Sequence, residues 1–383
     1  MENNNKSYQK KPTGYELEDL LDREPVVLHN DLILSQVKDR VILITGAAGS
    51  IGSELVRQVV QFSPKSIIML DQAETPLYFL SREMESLQGV TAFHNVLCDI
   101  THKKILKEIF KKYRPDIIYH AAAYKHVPLL EENPVQAIFV NVLGTKILAD
   151  LACKYAADTF VLISTDKAVN PGNVMGASKL IAEKYVQALY NKISKQPQKC
   201  TRLITTRFGN VLGSNGSVVP VFEKQIQSGG PITLTHPDME RYFMTIKEAC
   251  QLVLEAGAMG HGAEIYIFSM GKPLKIADLA HKMVVFAGLV PNKDIEIKLS
   301  GLRPGEKLNE ELVTNDTKIL PTHNASIMIA EEKPMEYVHV LKSIRNMVKQ
   351  AKAFDINATV SEMKKFIPDF RSINSKYKHF DEY

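Results

Sequence analysis

The stretch from Ser164 to Lys179, STDKAVNPGNVMGASK, concentrates side chains that can move protons. Thr165, Asp166 and Lys167 place a hydroxyl, a carboxylate and an amine side by side. General acid–base chemistry needs such groups within hydrogen-bond reach of the reacting atoms. Met175 and Lys179 follow with MxxxK spacing. A thioether has no titratable proton, so Met175 cannot act as acid or base. The plainer reading is that Asp166 caps the following turn and Lys167 is solvated.

A second motif lies upstream. VILITGAAGSIGSELVRQ sets Gly46, Gly49 and Gly52 between an apolar run and an amphipathic one. Glycines there let the backbone turn tightly and approach a pyrophosphate, which free N–H groups and the dipole of the following helix stabilise. A glycine triplet alone can serve only a tight turn; the flanking strand and helix pattern favours phosphate binding. The next apolar run, SIIMLD, ends at Asp71. An acidic side chain at that place can accept from an adenosine ribose and repel a 2′-phosphate, which favours NAD over NADP. An Asp closing a strand can also be only a helix cap. Asp99, in LCDI, closes the following run and is a candidate for the adenine end.

These residues need a frame to position them. From Arg40 to Asn210 short apolar runs alternate with amphipathic segments: VILIT, SELVRQVVQF, SIIMLD, the helix-like stretch from Thr75 to Leu87, TAFHNVLCD, DIIYHAA, TFVLIST, ASKLIAEKYVQALYNKI and TRLITTRFGN. That alternation predicts βαβ units and a doubly wound α/β fold with a parallel sheet of six or seven strands. After Asn210 the rhythm loosens into Gly- and Pro-rich segments broken by helices near Ile246 to Ala258 and Ile276 to Ala287. This suits a smaller lobe at the sheet's C-terminal edge. The expected organisation is a polar leader (1–39), a nucleotide-binding core (40–210), a lobe that partly returns to the core (211–315) and a C-terminal helical tail (316–383). In the tail a polar linker precedes helix-like stretches near Met335 to Ala353 and Val360 to Phe366. The start, up to about Thr13, has no periodic apolar residues to bury and is expected to be disordered.

Composition narrows the class. The 383 residues are 45% hydrophobic and 23% charged, with a net charge of +4, an ordinary globular balance. The basic residues are scattered, which argues against a nucleic-acid partner. Cys98, Cys153, Cys200 and Cys250 lie far apart with no CxxC spacing, so neither zinc nor a disulfide framework is expected. No metal site is expected. No run approaches the roughly 18 to 20 apolar residues of a membrane helix, and the start lacks a signal-peptide core, so a cytoplasmic protein is expected.

GAAGSIG, HAAAYKHVPLLE, Asn141 in VNVLGT and MxxxK together resemble the extended short-chain dehydrogenase/reductase superfamily, which has a Rossmann fold. Within it STDKAVNPGNVMGASK, RFGNVLGSNGSVVP and RPGEKLNEEL resemble the UDP-N-acetylglucosamine 4,6-dehydratases of the CapD-like polysaccharide-biosynthesis type. The leader YELEDLLDREPVVLH is similar to the segment that joins the catalytic domain to transmembrane helices in long members, so the chain could be a naturally soluble form or the catalytic part of a membrane-anchored enzyme. The resemblance implies an NAD-dependent lyase that oxidises C4 of the sugar, removes H5, eliminates the C6 hydroxyl as water and reduces C6, and it implies a homo-oligomer. Around NAD it places Gly46, Gly49, Ser50, Ile51, Gly52, Asp71, Asp99, Ile100, Ala121, Ala122, Ala123, Asn141 and Lys179.

In most of the superfamily a tyrosine stands at Met175 and takes the O4 proton. The resemblance assigns hydroxyl protons to Asp166 and H5 to Lys167; Asp166, through Thr165, is expected to take the O4 proton as well. Lysine is a base only if its pKa falls, which burial and the charge of Lys179 would promote. RFGNVLGSNGSVVP contributes Arg207 and Asn210. Substrate contacts are implied for Lys125, Asn210, Val218, Arg241, Arg303 and Glu306, the arginines as forks for phosphate oxygens. Taken alone each arginine reads as a surface or salt-bridge residue. His120 and His126 are read as structural. Alternatives are a C5-inverting dehydratase, a UDP-sugar 4-epimerase and a non-catalytic NAD-binding regulator; retention at C5 is favoured.

Overall fold

A computed structural model describes residues 17–21 and 30–381 apart from 88, 90, 198, 199 and 315. The disorder expected up to Thr13 lies outside these residues. Seven strands run parallel: β1 (Val41–Thr45), β2 (Ser66–Asp71), β3 (Ala92–Leu97), β4 (Ile117–His120), β5 (Thr159–Ile163), β6 (Arg202–Arg207) and β7 (Ile265–Phe268). Two more, β8 (Lys318–Pro321) and β9 (Ile327–Glu331), extend the sheet antiparallel beyond β7. The order β8-β9-β7-β6-β5-β4-β1-β2-β3 reverses direction between β1 and β4, the switch point of a Rossmann-like sheet.

Each parallel strand except the edge strand β3 is buried on both faces. Along β1, Leu43 belongs to one core cluster and Ile42 and Ile44 to the other, as the two-residue strand period requires. Continuous β-branched runs such as VILIT are what a sheet covered by helices on both sides demands. A third cluster, built on Leu212, Val219, Phe222, Leu234, Phe243 and Leu279, forms the smaller lobe.

Three sequence expectations differ from the structure. The polar linker expected before the tail helices contains β8 and β9, whose Ile319, Ile327 and Ala330 supply the buried side of a short edge ribbon. Short alternating strands among polar residues carry too weak a periodic signal to be read from sequence. The leader is not uniformly polar: α1 (Asn30–Val37) buries Ile33 and Val37 against the main core, and Leu20 is buried in the smaller lobe. Residues Pro134–Lys154 do form a helical run long and apolar enough to cross a membrane, but 72% of its apolar window is buried inside the fold. It is apolar because it is packed on nearly every side.

Two helices set up the site. In α2 (Ser50–Val59) the N-cap is Gly49, which has no side chain to cap the first turn, so the orphan N–H groups face outward from the end of β1. In α3 (Val174–Ile193) the Asn173 side chain caps the helix by accepting from Gly176 N at 2.8 Å. That cap fixes where Met175 and Lys179 emerge.

Candidate active site

A cavity of about 790 Å³ opens over the C-terminal ends of β1, β4 and β5 and continues under the smaller lobe. Its volume is that of a site for a sizeable small molecule. Gly46, Gly49, Ser50, Ile51 and Gly52 form one end, joined by Ala121 and Ala123 after β4. Gly46 has φ +67°, and a Cβ there would lie 2.6 Å from Ala122 N. A Cβ on Gly52 would sit 2.0 Å from the Gly46 carbonyl oxygen. These glycines are therefore required by the loop's own packing, which leaves the backbone bare on the cavity side.

Asp71 closes β2 beside this loop. Its Oδ2 accepts from Ala48 N and its Oδ1 from Ala73 N, both at 2.9 Å. It thus braces the glycine loop and caps the next segment, and each oxygen keeps a further lone pair. The donor set fits a dinucleotide: bare N–H groups at a helix start for a pyrophosphate and a carboxylate one strand away for a ribose. Asp71, Asp99, Ile100, Ala122 and Asn141 do not line the cavity. Ile100 is core, packed against Gly144. Asn141 is buried and holds the 121–125 segment in place, donating to Tyr124 O and accepting from Tyr124 N, at 2.9 and 2.8 Å.

The proton-handling groups converge at the middle of the cavity. Thr165, Lys167, Met175 and Lys179 line it; Asp166 does not, being fully buried behind them. Thr165 Oγ1 donates to Asp166 Oδ1 at 2.8 Å. Lys167 Nζ donates to Asp166 Oδ1 at 3.0 Å and to Asn210 Oδ1 at 2.9 Å, and lies 3.7 Å from Glu310 Oε1. Asp166 Oδ2 is buried without a partner among the described residues, beside Gly209. Glu310 lies within RPGEKLNEEL, next to Glu311. Nothing in its spacing marks it; only folding brings it to Lys167.

The electrostatics overturn one expectation. Burial does pull the Lys167 pKa down, but the nearby Asp166 and Glu310 carboxylates outweigh it and hold the ammonium above its ordinary value. Of Lys167 and Lys179, the one whose pKa falls is Lys179, pushed down to about 8 by burial with only partial opposition from Glu183. Its Nζ donates to Ile163 O at 2.7 Å. His120 is buried with both ring nitrogens on hydroxyls, Thr45 at 2.7 Å and Thr145 at 2.8 Å, and burial lowers its pKa to about 3. It is a neutral structural bridge, whereas His126 lies on the cavity wall.

At the other end Lys125, Asn210, Val218, Arg241, Arg303 and Glu306 line the cavity. Arg241 is buried and gives three bonds to the carbonyls of Glu240, Leu308 and Lys307 at 2.6–2.7 Å. Of its five donors, two remain for a ligand. Arg303 is exposed, and Glu306 accepts from Arg303 N at 3.0 Å. Arg207 is not at this end. It is buried in an ion cluster with Glu183 and Glu332 and does not line the cavity. As the last residue of β6 its side chain alternates to the opposite face from its neighbour.

The chain matches the polysaccharide biosynthesis protein family over residues 42–332 and belongs to it. It is 50% identical to the capsular polysaccharide biosynthesis protein CapD of Staphylococcus aureus, over 80% of this chain and 50% of that protein. It spans about half the length of that relative and of the Bacillus subtilis protein EpsC. It is 35% identical to an inverting UDP-N-acetylglucosamine 4,6-dehydratase of Campylobacter jejuni, over 72% of this chain and 78% of that one. A Rickettsia massiliae UDP-glucose 4-epimerase is 34% identical over 73% and 79%. Among solved structures, Pen from Bacillus thuringiensis superposes with a TM-score of 0.70 at 30% identity, covering 78% of this chain and 90% of that one. DesIV, a dTDP-glucose 4,6-dehydratase from Streptomyces venezuelae solved with NAD, shares the fold at TM-score 0.64 and 20% identity, over 80% and 96%.

Proposed function

We propose that this chain binds NAD and catalyses 4,6-dehydration of UDP-N-acetylglucosamine, with retention at C5, to give a 4-keto-6-deoxy sugar nucleotide for surface glycans. The observation that carries the reading is the Thr165–Asp166–Lys167 cluster, set between the glycine loop and the arginine-lined end of one cavity. The glycine cradle and Asp71 support NAD as the dinucleotide. Bound NAD supplies a reversible oxidant, accepting hydrogen from C4 and returning it at C6.

The chain's own residues supply everything else. Arg303, Arg241 and Asn210 hold the UDP end, so that the sugar lies over Thr165 and Lys167. Met175 replaces the usual tyrosine with a buried, proton-free wall. The O4 proton passes to Asp166 through the Thr165 hydroxyl, which bonds the carboxylate from the cavity side. Lys179, on the same helix as Met175, supplies positive charge beside the cofactor. Lys167 removes H5, and Asp166 returns its proton to O6 as water leaves. The scattered free thiols suit action in the cytoplasm.

The test is a proton NMR time course with UDP-N-acetylglucosamine in deuterated water. A new C6 methyl signal with deuterium at C5 is the expected result, and the ring couplings give the C5 configuration. A 4-epimerase would give the C4 epimer with H5 and C6 intact. Unchanged substrate with NAD bound would exclude both.

A further inference from the structure

Lys167 poses a problem for any reaction in which it acts as a base. Its ammonium has three protons. Asp166 Oδ1 and Asn210 Oδ1 engage it at 3.0 and 2.9 Å, and Glu310 Oε1 is its remaining neighbour at 3.7 Å. A lysine so held is charged and cannot attack a C–H bond. The proton must go somewhere before H5 is taken.

We infer that Glu310 is a positioning residue that accepts this proton from Lys167, leaving a neutral amine; the inference rests on the dehydration reading above. The Glu310 side chain is 4% exposed, packed between Lys167 and Arg241, whose Nη2 lies 4.0 Å away. It does not line the cavity, so its influence on a substrate runs through Lys167. The charged groups facing it are Lys167, Asp166, Arg241 and Lys307. Burial, reinforced by the charge of Asp166, raises its pKa against the opposing pull of the three cations. It is readier than an ordinary carboxylate to hold a proton.

The geometry also gives the order of events. While Asp166 is charged it is the carboxylate nearest the Lys167 ammonium. When Asp166 receives the O4 proton through Thr165, that charge disappears. Lys167 and Glu310 then face each other as a buried ion pair, with Arg241 4.0 Å from Glu310 on its other side, and burial favours the neutral form of the pair. The Lys167 N–H bond breaks, a Glu310 O–H bond forms, and the total charge of the pair is unchanged. The amine then takes H5; the C5–H electron pair forms the C5–C6 double bond, and O6 leaves as water with the Asp166 proton. The first proton transfer thereby primes the second. A separation of 3.7 Å closes to hydrogen-bond length by side-chain rotation, as catalytic contacts commonly do once a ligand is bound.

The test follows H5 exchange with deuterated solvent by NMR, across pH, in the full chain with NAD and UDP-N-acetylglucosamine. In the unaltered protein the proton moves within the pair, so the exchange rate is nearly flat from about pH 6 to about pH 8. In Glu310→Gln the proton must leave to solvent. Exchange then falls by about tenfold or more near neutrality and rises in proportion to hydroxide, while C4 oxidation, read as nicotinamide absorbance, persists. Glu310→Asp restores the flat profile. Glu310→Gln with unchanged rate and profile, or a uniform loss at every pH that Glu310→Asp does not rescue, overturns the inference. Absence of H5 exchange and of methyl product in the unaltered protein would instead sink the dehydration reading itself.

Discussion

The Thr165 hydroxyl donates to Asp166 Oδ1 at 2.8 Å, and of the two residues only Thr165 lines the cavity. On the proposed reading the carboxylate meets a substrate hydroxyl through this relay. Thr165→Val should slow C4 oxidation by about 10²- to 10⁴-fold, the usual worth of a positioned proton acceptor. Thr165→Ser, which keeps the hydroxyl, should retain most of the rate. Single-turnover nicotinamide absorbance distinguishes the two, and equal rates in all three proteins would remove Thr165 from the pathway.

Lys179 links pH to stability. Its pKa is about 8 in the folded chain because burial disfavours the ammonium, against about 10.4 for an unfolded lysine. Between those values the unfolded chain binds more protons, so stability rises with pH and then levels off; below about 8 the full penalty is present. Lys179→Met should raise cofactor-free stability at neutral pH by about 1–3 kcal/mol and abolish that rise. Urea midpoints on either side of the window measure both effects, and NAD titration should show weakened binding.

Arg207 belongs to the scaffold. Arg207→Met strands Glu183 in the core and should cost about 3–5 kcal/mol, whereas Arg207→Met combined with Glu183→Leu should recover much of it. Denaturant unfolding gives the comparison. A raised KM for the sugar nucleotide in a still-folded Arg207→Met protein would return this arginine to the substrate site.

Gly46→Ala combines a left-handed backbone with a Cβ 2.6 Å from Ala122 N. The expected result is about 1–3 kcal/mol of destabilisation from the backbone conformation alone, with loss of NAD binding by calorimetry. Normal binding would mean that the loop can shift without consequence.

Arg303 and Arg241 should behave differently despite sharing one cavity. Arg303 is exposed, so Arg303→Ala should raise KM about tenfold with kcat nearly unchanged. Arg241 ties down three carbonyls of two segments, so Arg241→Ala should lower stability as well as affinity. Steady-state kinetics paired with thermal unfolding separates the cases.

The sequence by itself determined what depends on neighbours along the chain. Gly46, Gly49 and Gly52 between a strand and a helix, Asp71 at the end of the next strand, and the adjacent Thr165, Asp166 and Lys167 are local patterns, because turn geometry and strand ends follow from short-range sterics. The alternation of apolar runs likewise dictated the parallel sheet. Tertiary structure alone decided which of these two lysines is depressed: Lys179 is buried with little opposing charge, whereas at Lys167 burial is outweighed by the neighbouring Asp166 together with Glu310, which arrives from a distant loop. It also decided that Arg207 serves the core and that β8 and β9 extend the sheet. A side chain's charge state sums burial and Coulomb contributions from every segment packed around it, and those segments are assembled only when the chain folds.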